Sequence, residues 1–103
     1  MKILANEFVK IAQSPDPQNV FCYSPGICRL DNGRLIVTMD FGGPGVKNLP
    51  GLKSKRGDYP EGNQGKIFAS DDAGASWKHL TDFPFYHARP FTAGKTLYVL
   101  GHA

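Results

Sequence analysis

An antiparallel all-β fold is predicted by three features of this 103-residue chain. It carries 12 Gly and 8 Pro, an enrichment that favours many tight turns over helices. No window holds apolar residues at i, i+3, i+4 and i+7 between helix caps, so little or no helix is expected. A strand-like run, Lys66-Ile67-Phe68-Ala69, leads straight into Ser70-Asp71-Asp72-Ala73-Gly74-Ala75-Ser76-Trp77, a sequence suited to a hairpin tip. The length allows at most one small domain, with a core that is marginal if it folds alone.

Taken in order, residues 8–12 alternate loosely and stop at the breaker cluster Ser14-Pro15-Asp16-Pro17. Residues 20–23 lead into Ser24-Pro25-Gly26, and 27–30 form a short strand. Asp31-Asn32-Gly33 supplies the Asn-Gly pair favoured in two-residue hairpin turns. Residues 35–40 are the clearest strand, and their adjacent apolar residues predict burial on both faces. A long irregular loop is expected over 41–65, rich in Gly, Pro and Lys. Residues 66–70 return as a strand and 77–80 leave along an outer one. The pattern then restarts: 89–93, the turn at Gly94-Lys95 and 96–100 echo the earlier strand, Gly33-Arg34 turn and strand.

The turn itself reads Ser-x-Asp-x-Gly-x-Ser-Trp. Asp72 is placed to turn its carboxylate back onto amides of its own loop. Gly74 supplies a positive φ without steric cost. Ser76 adds a second side-chain-to-backbone bond, and Trp77 is expected to drop its ring into the core, largely buried. With its position after a strand, this pattern resembles the Asp-box of the sialidase and neuraminidase superfamily, which recurs at the tips of β-propeller blades and stabilises a turn without taking part in chemistry. The resemblance implies one blade over 20–80, with four antiparallel strands at 27–30, 35–40, 66–70 and 77–80. It makes 8–12 an outer strand of a neighbouring blade and 86–103 the start of the next. Propellers close with about four to eight blades, so 1–103 corresponds to an incomplete propeller of about one and a half. The spacing of the two Gly-basic turns exceeds the usual ~40–50 residues by roughly the inserted loop. An apolar edge at 96–100 implies self-association.

The net charge of +3 is modest and the aromatic residues are scattered, so no nucleic-acid platform is read. No apolar run approaches the length of a membrane span. Cys22 and Cys28 fit neither a redox motif nor a metal quartet and are expected to be buried free thiols. His79 and His102 look peripheral, no cluster has catalytic-zinc spacing, and no metal or other cofactor is read. Residues 1–7 lack an apolar signal core, which implies a cytoplasmic location if Met1 is the native start.

In the superfamily, ligands bind where inner strands begin, opposite the Asp-box rim. By that topology residues 22–25, the loop 41–65 and residues 86–89 converge on one face. Tyr23 stands where sialidases carry the arginine of an Arg-Ile-Pro motif, a departure that argues against sialic acid as the substrate. Asp58 falls in the stretch that supplies the acid/base aspartate, and a solvated loop charge is the alternative. Lys47, Lys53, Lys55 and Arg56 make the loop basic, which suits an acidic sugar or simple solvation. Tyr86, His87 and Arg89 place a phenol, a base and a cation in one short span. That set suits a lyase step on a uronate, with Arg89 on the carboxylate and His87 moving the α-proton. Hydrogen bonding across the fold is its structural alternative. The expected site is therefore Asp58 and His87 as catalytic groups, with Tyr23, Tyr86 and Arg89 on the substrate. The resemblance implies a glycoside hydrolase acting on glycans. A polysaccharide lyase on acidic glycans and a non-catalytic glycan-binding or structural propeller unit remain the alternatives.

Overall fold

The computed structural model describes residues 7–56 and 59–102. Among these residues seven strands follow one another: β1 (Phe21–Arg29), β2 (Leu35–Gly42), β3 (Ser54–Arg56), β4 (Tyr59–Ser70), β5 (Lys78–Phe83), β6 (Tyr86–Ala93) and β7 (Thr96–His102). A single 3-10 turn, Pro44–Asn48, is the nearest approach to a helix among the described residues. The main sheet runs β1-β2-β4 with β5 on the far side of β4, all antiparallel, and β6 and β7 form a separate hairpin. The four strands expected at 27–30, 35–40, 66–70 and 77–80 thus appear as β1, β2, β4 and β5, neighbours in that order.

β2 is central because its sequence suits burial on both sides. Ile36, Val37 and Thr38 are consecutive and all buried, which a strand manages only when both faces are covered. One face meets β6, where Thr38 Oγ1 donates to Ala88 O at 2.9 Å. On the other side a small core of Val20, Phe41 and Val46 is lined by Ala12, Met39 and Leu49. Gly26 lets β6 approach: a Cβ there would stand 2.9 Å from Pro90 Cδ and 3.0 Å from Thr38 Oγ1.

Four sequence expectations about strands, loops and thiols need correction. The Asn32-Gly33 turn is a three-residue loop, not a two-residue one. Leu30 N–H donates to Arg34 O at 2.8 Å, and Gly33, at φ 87°, takes the left-handed position that closes such a loop. The expected outer strand at 8–12 forms no strand; Phe8 is exposed, and only Ala12 at its end reaches the core. The irregular loop at 41–65 is largely ordered secondary structure. β2 continues to Gly42, β3 pairs with the first half of β4, and Gln64 Nε2 donates to Pro50 O and Leu52 O at 2.6 and 3.1 Å. Pairing needs only backbone groups in register, so a Gly- and Pro-rich sequence does not forbid it. Lastly, Cys22 is exposed and Cys28 half-buried, both as free thiols. Partial desolvation holds each thiol above its ordinary pKa, with the Lys66 charge offsetting part of this at Cys22.

The turn between β4 and β5 is built from its own side chains. Ser70 Oγ donates to Asp72 Oδ1 at 2.7 Å and accepts the Gly74 N–H at 2.9 Å. Asp72 Oδ1 also accepts the Ser76 N–H at 2.8 Å, and the Ser76 hydroxyl donates to Asp72 Oδ2. Those donors, Ser76 Oγ foremost, lower the Asp72 carboxyl pKa to about 2. Gly74 adopts φ 92°. Trp77 departs from the expectation: it is half-buried and lies over the turn, its Nε1–H donating to Gly74 O at 3.0 Å. The ring staples the tip because β5 is an exposed outer strand with no deep core beneath it at that end.

Candidate functional site

Strand direction gives the molecule two distinct ends. Leu35 pairs with Ser70, so the Ser70–Trp77 turn and the turn between β1 and β2 share one end. Arg34 Nε and Asp71 Oδ1 form an ion pair there at 3.0 Å. β1 and β6 both begin toward the other end, near Asp40, and run toward the turns. A cleft of about 330 Å³ opens between the β1–β2 turn and the β6–β7 turn, lined by Leu30, Asp31, Asn32, Thr92, Lys95 and Leu97. It lies at the opposite end of the strands from Tyr23, His87 and Arg89, and none of its lining residues is a buried polar side chain.

At the opposite end Asp40 is the organising residue. It is fully buried, and its Oδ2 accepts the backbone N–H of His87 at 3.0 Å. Asn63, itself buried, lies against the carboxylate without a fully formed hydrogen bond. Burial pushes the Asp40 carboxyl pKa up, while the His87 amide and ring, the Asn63 side chain and the Arg89 charge pull it back. Tyr23 pairs with Asp40 across the β1–β2 ladder, and its hydroxyl donates to Asn63 Oδ1 at 2.6 Å. Gly42 makes room for the ring, since a Cβ there would collide with the Tyr23 hydroxyl. Tyr23 and His87 are therefore both tied to the Asp40–Asn63 pair.

β6 brings in the rest. Ser24, at φ 53°, marks the irregularity in β1, and His87, at φ 52°, marks the matching one in β6. Such values are uncommon for residues with a Cβ. At His87 the conformation is held by the bond from its amide to Asp40. Arg89 is exposed and its guanidinium donates to Ser24 O at 3.3 Å and to Ala88 O at 3.2 Å, bridging the starts of the two hairpins. Tyr86 is half-buried and stacks on His102, with centroids 5.8 Å apart and planes at 24°. His87 Nδ1 lies 3.0 Å from His102 Nε2.

Of the residues singled out in the sequence, Tyr23, Tyr86, His87 and Arg89 lie at one end of the molecule, away from the Asp-box turn. Asp58 lies outside the described residues. Lys47 is exposed on the 3-10 turn, and Lys53 Nζ donates to Gly51 O at 3.2 Å. Three residues were missed. Asp40 carried one signal, a lone carboxylate closing a strand otherwise suited to burial on both faces. Asn63 carried none, because 41–65 reads as irregular. His102, read from the sequence as peripheral, is brought beside Tyr86 by the β6–β7 register. On the outer side of the sheet, Lys66 Nζ and His79 Nε2 each lie 2.8 Å from Asp82 Oδ1, a structural cluster joining β4 to β5.

Among the described residues no group of three or more His, Cys, Asp or Glu is placed to hold a metal ion, and no helix is long and apolar enough to cross a membrane. Comparison of the chain with protein-family models, with curated proteins and with solved structures finds no match.

Proposed function

We propose that this chain is a segment of a sialidase-like β-propeller that acts on glycans, and that its ligand lies at the end carrying Tyr23, His87 and Arg89. The observation that carries the reading is the joint attachment of Tyr23 and His87 to the buried Asp40–Asn63 pair. A second support is the meander β1-β2-β4-β5 with a self-bonded Ser-x-Asp-x-Gly-x-Ser-Trp turn at its outer hairpin. β1 and β6 start side by side, as the inner strands of neighbouring blades do, so residues at their starts line one surface.

The chemistry favours an anionic sugar. Arg89 is a permanent cation at the surface, suited to a carboxylate. His87 is an exposed imidazole within the same turn of chain, and Tyr86 and Tyr23 offer aromatic faces and hydroxyls. The hydrolase reading calls for an acid/base carboxylate, the role the sequence assigns to Asp58, which lies outside the described residues. The lyase reading rests on the His87 and Arg89 pair: the guanidinium neutralises a uronate carboxylate while the imidazole takes the proton α to it, a double bond forms as the β C–O bond breaks, and the departing oxygen takes a proton from solvent.

The test compares acidic and neutral oligosaccharides against the chain and against His87→Asn and Arg89→Ala. Asn is chosen at position 87 because it tolerates the left-handed backbone there. The expected result is binding or turnover of the acidic oligosaccharide alone, lost in both variants with the fold unchanged. Equal behaviour of both variants and the parent chain overturns the site.

A further inference from the structure

His87 and His102 form a pair that the glycan reading does not use. The two rings approach edge to face, with centroids 5.0 Å apart and planes at 60°, and His87 Nδ1 lies 3.0 Å from His102 Nε2. Two nitrogen ligands at ~2.0–2.1 Å on one zinc ion are about 3.0–3.4 Å apart at ordinary coordination angles. The pair therefore already has the separation of two cis ligands. What differs is aim, because in the hydrogen-bonded pair the ring nitrogens face each other, and modest side-chain rotations point both at a common position outside the hairpin.

The backbone of one residue and the ring of the other are anchored by the hairpin. The backbone of His87 is fixed by its amide bond to Asp40 Oδ2, and the His102 ring is stacked on Tyr86. Tyr86 and His102 are register partners in the β6–β7 ladder, so the strands themselves set the spacing. Both histidines are exposed, which leaves an incoming ion room for its remaining ligands.

We propose that His87 and His102 form a two-histidine site for a borderline divalent transition-metal ion of the zinc or nickel class, its other coordination positions filled by water or by an anionic ligand. Imidazole nitrogen suits these ions and does not suit Mg²⁺ or Ca²⁺, which take oxygen ligands. In the metal-free pair one nitrogen carries the shared hydrogen and the other accepts it. On binding, each ring must present an unprotonated nitrogen to the ion, so a hydrogen on that nitrogen moves to the far nitrogen of its own ring or leaves to solvent. With two protein ligands the ion is held reversibly and stays open to an anion.

The test is calorimetric titration of the 103-residue chain with zinc chloride in a non-chelating buffer, followed by imidazole NMR of the same samples. The expected result is one ion per chain, with the ring signals of His87 and His102 moving and those of His79 staying. Losing a second-shell partner alone weakens metal sites by ~10–100-fold, so His87→Asn and His102→Ala should each weaken binding by about tenfold or more. His79→Ala, which removes the imidazole beside Asp82, and Cys22→Ser, which removes the exposed thiol, should bind zinc as the parent chain does. MgCl₂ should give no heat of binding. The proposal is overturned if the parent chain takes up no zinc, if His102→Ala with an unchanged backbone spectrum still binds as tightly, or if His79→Ala or Cys22→Ser abolishes uptake. Should His87→Asn disturb the hairpin, His102→Ala alone decides, since that side chain is exposed.

Discussion

The backbone amide of His87 donates to the buried carboxylate of Asp40 at 3.0 Å, joining the start of the separate hairpin to the central strand of the main sheet. Together with the Thr38 to Ala88 bond, it fixes how β6 lies on β2. It also sets the unusual backbone of His87, and with it the direction of the imidazole.

Asp40 should make stability depend on pH in an identifiable direction. Burial raises its pKa in the folded state above the unfolded value, so the folded chain holds the proton more tightly. Its stabilising contribution is full below the ordinary carboxylate range and is lost as pH rises through the raised value. Asp40→Asn keeps an oxygen to accept the His87 amide, and should flatten this part of the profile while leaving neutral-pH stability unchanged or higher. Asp40→Ala leaves that amide without its acceptor and should cost about 1–3 kcal/mol. Urea unfolding of the three proteins across a pH series measures both effects.

Asp72 should behave in the opposite sense. Its folded pKa is lowered to about 2, so its contribution is full above the ordinary carboxylate value near 4 and is lost as pH falls through about 2. Asp72→Ala removes the acceptor of the Ser76 amide and hydroxyl. The expected outcome is faster hydrogen exchange at Ser76 and a red-shifted Trp77 emission, with exchange in β2 unchanged. Unchanged exchange at Ser76 would mean that the turn holds without its carboxylate.

How far the sequence discloses this fold can be traced through particular residues. The apolar run from Leu35 announces a strand buried on both faces, and the Ser70–Trp77 spacing announces a turn, because both rest on local chemistry repeated at short range. Residues 41–65 read as a loop because Gly, Pro and Lys lower strand propensity. The register that pairs Phe41 with Gln64 comes from β2, which is distant in sequence. Residues 8–12 have a strand-like pattern, but among the described residues no partner strand completes it. At the site, His87 and Arg89 were legible as a compact span of useful side chains. Their link to Asp40 and Asn63 was not, since it depends on how the hairpin docks.

Gly65 should be intolerant of any side chain. A Cβ there would run into the ring of Phe83, which lies directly over the glycine from the register-paired position on β5. Gly65→Ala must displace a buried aromatic ring, and should destabilise by about 1–3 kcal/mol. Denaturant unfolding gives the value, and a loss under about 0.5 kcal/mol, the range of ordinary surface changes, would show that Phe83 relocates freely.

β7 should drive association. Among the described residues its only strand neighbour is β6, and Tyr98 and Leu100 are 47% and 66% exposed. An open apolar edge is a template for another strand. Sedimentation of the isolated chain should show a mass that grows with concentration, and Leu100→Lys should reduce it to the monomer. A stable monomer at all concentrations would contradict this.

The central claim is where a glycan binds, and chemical-shift mapping with a uronate oligosaccharide tests it most directly. The account predicts that titration moves backbone signals of Tyr23, Ser24, His87 and Arg89, while those of residues 70–77 and of the cleft around Asp31 and Lys95 stay in place. Shifts concentrated at the Asp31–Lys95 cleft, or no shifts at millimolar oligosaccharide, would contradict it.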